Sequence, residues 1–133
     1  RSDMTRTFVF GQASEEQKHI YQLVLSAQQA AIDEITEGVL GSHLYQQSVN
    51  ILFNSKYKQY VGEGLGHGVG LVLHELPFIG PDCQSAIEKG CVITIEPGIY
   101  IPGWGGVRIE DDVVLTDDGL QILTNSPKGL IEL

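Results

Sequence analysis

The spacing of apolar positions changes rhythm once along this chain. In its first third, Ile20, Leu23, Val24, Ala27, Ala31 and Ile35 recur at helical intervals, which places them on one face of an amphipathic helix. Ser14 followed by Gln17 matches a capping box at its start, the first turn is acidic, and Gly38 offers a C-cap. A second helix is predicted from Ser42 to Asn54 on a thinner stripe of Leu44, Ser48, Ile51 and Leu52. From Gly62 onward the pattern shortens to Val- and Ile-rich runs punctuated by Gly, Pro and Asp: VGLVLHE, CVITIEPGIYI, GVRIEDDVVLT and LQILT. The alternation TRTFVFG near the start predicts one more strand, with Asp3 at its head. Helices followed by strands predict an α+β class, with the helices on one face of an antiparallel sheet.

Size and composition narrow the function classes. A chain of 133 residues is one domain or part of one, and buries roughly two thirds of its unfolded surface. It opens without a starting Met or a signal peptide, straight into a strand, so the expectation is an internal fragment with sequence missing upstream. No apolar run approaches a membrane span. The net charge of −9 argues against a nucleic-acid partner, which would need clustered Lys and Arg. Cys83 and Cys91 form neither a C-x-x-C pair nor a disulfide framework. Cys91 lies in the apolar run CVITIE, as a buried thiol would in a reducing, cytoplasmic compartment. His19 and His43, on or near the helices, read as structural or solvated.

Two stretches carry candidate chemistry. GLGHGVGLVLHELP sets His67 and His74 seven residues apart with Glu75 adjacent. This is not H-E-x-x-H, nor a phosphate-binding glycine loop. Taken alone, it reads equally well as two hydrogen-bonded histidines on a glycine-rich strand. TIEPGIYIPGWGGVRIEDD reads as a hairpin turning at Gly103. That register sets Glu96 opposite Glu110, and directly opposed Cβ atoms lie about 4.5–5.5 Å apart. Two facing carboxylates need protonation, a basic partner or a cation; the alternative sends one to solvent beside Arg108. Asp3, His67 in a tight glycine turn, Glu96 and Glu110 together make three carboxylates and one imidazole. Such a set suits Mn, Fe(II), Co or Zn, and carboxylates bridging two ions are the usual two-metal hydrolase arrangement.

The blocks SDMTRTFVFG, GLGHGVGLVLHELP, TIEPGIY and GVRIEDDVVLT, in that order across almost the whole chain, resemble the pita-bread metallopeptidases. These include methionine aminopeptidase, aminopeptidase P and prolidase. The short interval between Glu96 and Glu110, and GVRIED itself, look like the Xaa-Pro dipeptidase and aminopeptidase P branch. The resemblance implies the C-terminal part of a pita-bread catalytic domain, residues 1–133, with the upstream part and an N-terminal domain absent. It implies two divalent ions (Mn first, with Co, Zn or Fe as alternatives), held by Asp3, His67, Glu96 and Glu110. Glu96 would also handle the proton of the attacking water. His74 would face the scissile peptide rather than a metal, and Arg108 would brace the metal-binding carboxylates. The implied substrate is a small peptide with proline second, and the implied parent a homodimer. The rival is a metal-free homologue, either a creatinase-like C–N hydrolase or a non-catalytic binding protein. In the family pattern, a first metal Asp and a substrate-facing His lie upstream of Arg1. Glu63 stands where this branch often carries another His.

Overall fold

The computed structural model describes residues 1–133. In chain order the elements are β1 (Phe8–Val9), α1 (Glu15–Asp33), α2 (Gly41–Phe53), β2 (Gly66–Gly68), β3 (Glu75–Ile79), β4 (Val92–Ile95), β5 (Gly98–Ile101), β6 (Gly105–Arg108), β7 (Asp111–Thr116), β8 (Gly119–Ile122) and β9 (Ile131–Glu132). The α+β expectation holds. A five-stranded antiparallel sheet of order β3-β2-β4-β7-β8 packs with the helices, β5 and β6 form a separate hairpin, and β1 pairs in parallel with β9. No helix is long and apolar enough to cross a membrane.

Helix α1 starts as its sequence predicts. Gln17 N–H donates to Ser14 Oγ at 3.2 Å, and Ser14 N–H donates to the Gln17 side chain at 2.8 Å, so two otherwise orphaned donors are satisfied. It stops earlier than expected, at Asp33. The N–H groups of Glu34 and Ile35 reach back to Ala31 and Ile32, tightening the last turn. Gly38, at φ +85°, instead shapes the turn into α2. Ile35 is buried, but outside the helix. The first half of α1 (Ile20, Tyr21, Val24, Ala27) packs with Ile99, Val107 and Ile109 of the hairpin region. Its second half (Ala31, Ile32) joins Leu44 of α2 and Ile93, Ile95 and Val113 of the large sheet. One helix thus spans both sheets.

The hairpin register agrees with the sequence. In β5–β6, Ile101 pairs with Gly105 and Gly98 with Arg108. In β4–β7, Ile95 pairs with Asp111 and Val92 with Val114, in the same register. Between the two ladders lie Glu96, Pro97, Ile109 and Glu110, and there the cross-strand pairing lapses. Glu96 N–H turns to the Leu65 carbonyl at 2.7 Å, and Glu110 N–H to the Thr5 carbonyl at 3.0 Å. The two glutamates therefore stand opposite one another in a gap of the sheet.

Two strand expectations need correction. VGLVLHE is not one strand: β2 ends at Gly68, residues 70–74 loop out, and the chain re-enters the sheet at Glu75. Gly68 itself pairs with Glu75 across a register shift, which leaves the residues between them no place in the ladder. His67 consequently lies within β2 rather than in a tight turn. The glycines flanking it have a steric cause. A Cβ on Gly66 would sit 2.0 Å from the Thr94 carbonyl oxygen, and one on Gly68 would sit 2.3 Å from that of Leu76. At the start of the chain, only Phe8 and Val9 of TRTFVFG form a strand; Asp3 lies in irregular backbone and Thr5 makes an isolated bridge to Glu110. Side-chain anchors hold this segment instead, as described below. His43 meets Glu34 at 3.1 Å on the surface, His19 is exposed, and both cysteines are free and half-buried.

Candidate metal centre

His67 is the hub. Its backbone N–H donates to Thr94 Oγ1 at 3.0 Å, and its Nδ1 lies 3.0 Å from the Gly68 carbonyl oxygen. A carbonyl only accepts, so Nδ1 carries a proton, and Nε2 is the ring nitrogen left to face the carboxylates. That atom lies 3.1 Å from Glu96 Oε1 and 3.7 Å from Asp3 Oδ2. A lone pair facing two carboxylates is repulsive unless a proton or a cation stands between them. The ring is only 7 % exposed, and the carboxylates are themselves partly buried.

Two overlapping sets of donor atoms share this imidazole. His67, Glu96 and Glu110 offer ligand atoms within 4.8 Å of one another, as do Asp3, His67 and His74. The four residues expected to hold metal are thus brought together around His67. Their bases are fixed by neighbours. Asp3 N–H donates to Asp112 Oδ2 at 3.0 Å. The Thr94 hydroxyl donates to Glu96 Oε1 at 2.8 Å. Glu110 accepts a short hydrogen bond from the Thr5 hydroxyl. Burial raises the Glu110 pKa above the ordinary carboxylate range; the Thr5 bond opposes this, while the charges of Glu96 and Asp3 reinforce it. A divalent ion would relieve that repulsion, so the donor set fits the metal its chemistry suggests.

Arg108 acts on these carboxylates through an intermediary. Its Nε donates to Thr5 Oγ1 at 3.1 Å, and the Thr5 hydroxyl in turn donates to Glu110. Burial works against the guanidinium charge, but Tyr100, Glu110 and Glu96 outweigh it and raise its pKa. His74 stands on the exposed loop between β2 and β3, its ring centroid 4.4 Å from that of His67 in an edge-to-face arrangement. One of its ring nitrogens lies within 4.8 Å of donor atoms of Asp3 and His67, farther from Asp3 than the 3.7 Å of His67 Nε2. Glu75 takes no part; its carboxylate accepts the Val72 N–H at 3.2 Å and braces the loop.

These groups open into a cavity of about 410 Å³ whose walls include Glu63, His67, His74, Glu96, Tyr100 and Arg108. The volume suits a small-molecule or short-peptide ligand. Sequence reasoning missed Thr5, Thr94 and Asp112, which orient the donors. The repeated Thr in TRT and the acidic pair after Glu110 were the signals available.

Comparison with known proteins identifies the family. The model of metallopeptidase family M24 matches residues 1–117, and the chain belongs to that family. It is 45% identical over 130 residues to a Xaa-Pro dipeptidase of Pyrococcus horikoshii, covering 98% of this chain and 37% of that protein. Among solved structures, a Xaa-Pro dipeptidase from Bacillus anthracis superposes with a TM-score of 0.94 at 42% identity, over 99% of this chain and 37% of that one. An X-Pro aminopeptidase from Thermotoga maritima gives 0.94 at 38% identity, over 99% and 38%. The fold is that of the pita-bread peptidases, and the chain spans somewhat over a third of the length of these relatives.

Proposed function

We propose that this chain is the C-terminal part of the catalytic domain of a dinuclear metal-dependent peptidase that cleaves the bond between an N-terminal residue and proline. The observation that carries the reading is the convergence of His67 Nε2 on Glu96 and Asp3, with Glu110 completing the donor set. Asp3, His67, Glu96 and Glu110 are the proposed ligands of two divalent ions, with Mn first and Co, Zn or Fe as alternatives. When bound, the ions would activate a water and polarise the scissile carbonyl.

The chain's own residues then have distinct tasks. Glu96 accepts the proton of the attacking water and passes it toward the leaving proline nitrogen. His74, on the open side of the cavity, donates a hydrogen bond to the oxygen that gains charge in the transition state. Arg108, through Thr5, keeps Glu110 in place. The substrate is a small peptide with proline second, and the same reading carries a homodimeric, cytoplasmic parent, for which the two free thiols are suited. The test is hydrolysis of Xaa-Pro peptides by the full-length protein, chelator-stripped and then reloaded with Mn²⁺ or Co²⁺. Expected is metal-dependent cleavage of Xaa-Pro substrates and none of matched Xaa-Ala peptides. Equal turnover by the stripped protein would overturn it.

A further inference from the structure

Glu96 and Glu110 face one another where the strand ladder lapses, and the backbone groups at the edge of that lapse must be satisfied. Ile95 and Ile109, the residues immediately before the two glutamates, are both fully buried. Their carbonyls are met by a side chain from α1. Gln28 Nε2 lies 3.0 Å from the Ile95 carbonyl oxygen, 3.3 Å from that of Ile109 and 3.0 Å from Asp111 Oδ2, so its two N–H bonds are shared among three acceptors. Its Oε1 accepts from Lys128 Nζ at 3.2 Å. Three acceptors on one side and a cation on the other leave the carboxamide a single chemically consistent orientation. Gln28 is wholly buried, on a helix face otherwise made of Val24, Ala27, Ala31 and Ile32.

Its partners are fixed too. Asp111 is held by Arg6 at 2.7 Å, Lys128 at 2.6 Å and the Thr124 hydroxyl at 2.6 Å. Arg6 NH1 also donates to the Glu110 carbonyl at 2.7 Å. The backbone on both sides of Glu110 is therefore pinned, at Ile109 by Gln28 and at Glu110 by Arg6 and Thr5.

We propose that Gln28 is a positioning residue for the metal centre: its carboxamide, wedged between the Ile95 and Ile109 carbonyls at the edge of the lapse, ties the two strands together there and thereby sets the spacing of Glu96 and Glu110. The proposal rests on reading those glutamates as ligands. An apolar side chain of similar length would remove the link between the two carbonyls and leave that of Ile109, outside both ladders, without its donor, and the strands would relax while the apolar packing of α1 stayed intact. Metal affinity then depends on a helix residue that never touches metal, as outer partners of ligands commonly make it.

The test uses the full-length protein, stripped of metal and titrated with Co²⁺ by calorimetry and visible absorption. Gln28→Met is expected to weaken the Kd by about tenfold or more and to shift the Co²⁺ bands, with helical circular dichroism retained. Val24→Ala, on the same helix, should lower Tm and leave Kd and spectrum unchanged. Gln28→Asn, which keeps the amide but shortens its reach, serves if the Met variant does not fold; it should also shift the spectrum. Wild-type Kd and bands in the folded Gln28 variant overturn the proposal. So does an equal loss of affinity in Val24→Ala, which would mark general loosening. Glu110→Gln separates the two readings. If it loses metal while the Gln28 variant does not, only the wedge fails. If it binds Co²⁺ like wild type, the ligand assignment fails and the wedge with it.

Discussion

The two halves of the candidate site are built on opposite plans. Glu96 and Glu110 sit at a gap in a continuous antiparallel register, flanked by fully buried Ile95 and Ile109 and pinned through their backbone. His74 stands on a looped-out segment where Leu71 is 94 % exposed, and neighbouring Val72 and Leu73 are exposed as well. The proposed ligands Glu96 and Glu110 are thus held between two ladders, while the group proposed to meet substrate is on an exposed loop.

The comparison breaks first at Glu96. Under the proposed assignment, Glu96→Gln removes both a ligand charge and the proton acceptor, so turnover of a Xaa-Pro peptide should fall by more than the roughly 100-fold expected from base removal alone. Near-normal kcat in a folded variant would remove Glu96 from the site. Next is the support behind the ladder. Arg6→Met leaves Asp111 paired only from the Lys128 side; leaving a buried charge wholly unpaired costs about 3–5 kcal/mol, so with Lys128 in place the loss should fall below that range, to be read by urea unfolding. Burial tends to raise the Asp111 pKa, but Lys128, Thr124 and Arg6 more than reverse that and hold it below the usual range. A depressed carboxylate stabilises the fold above its unfolded pKa, and that contribution is lost as pH falls through its folded value. The gap between wild type and Arg6→Met should therefore narrow in acid.

The loop side should respond differently. His74→Ala is expected to cost about 3 kcal/mol in transition-state stabilisation, or 10²–10³ in rate, with metal content unchanged by elemental analysis. Loss of metal along with rate would make His74 a ligand, a role its proximity to Asp3 permits. The smallest effect is remote from both halves. Ser14→Ala removes the capping box of α1 and should lower stability by about 1 kcal/mol, leaving kcat/KM of the survivors intact.

Much of this was legible in the chain because it follows local rules. The capping box and the hairpin register come from cap and turn chemistry acting over a few residues, and α2 from the helical spacing of its apolar stripe. The register alone was enough to set Glu96 against Glu110. The split of VGLVLHE was not legible, because its apolar run looks like a strand whether or not the ladder has room for it. Gln28 was invisible for the opposite reason. A stripe counted in apolar residues passes over a polar one on the same face, and its value lies in carbonyls about 70–80 positions further along. Arg6 escaped notice likewise, since its partner Asp111 is nearly a whole chain away.

The pairing of β1 with β9 bears on how the protein comes to exist. Phe8 and Val9 lie beside Ile131 and Glu132, Gly11 N–H donates to the Leu133 carbonyl, and Arg6 donates to the carbonyls of Ser126 and Pro127. The segment that presents Asp3 and Thr5 is therefore clasped by residues 126–133. Closing so long a loop carries an entropic cost that the local contacts of helices and hairpin avoid. Helices and hairpin can form from local contacts, but the clasp that sets Asp3 and Thr5 beside His67 is complete only once residues 126–133 have docked.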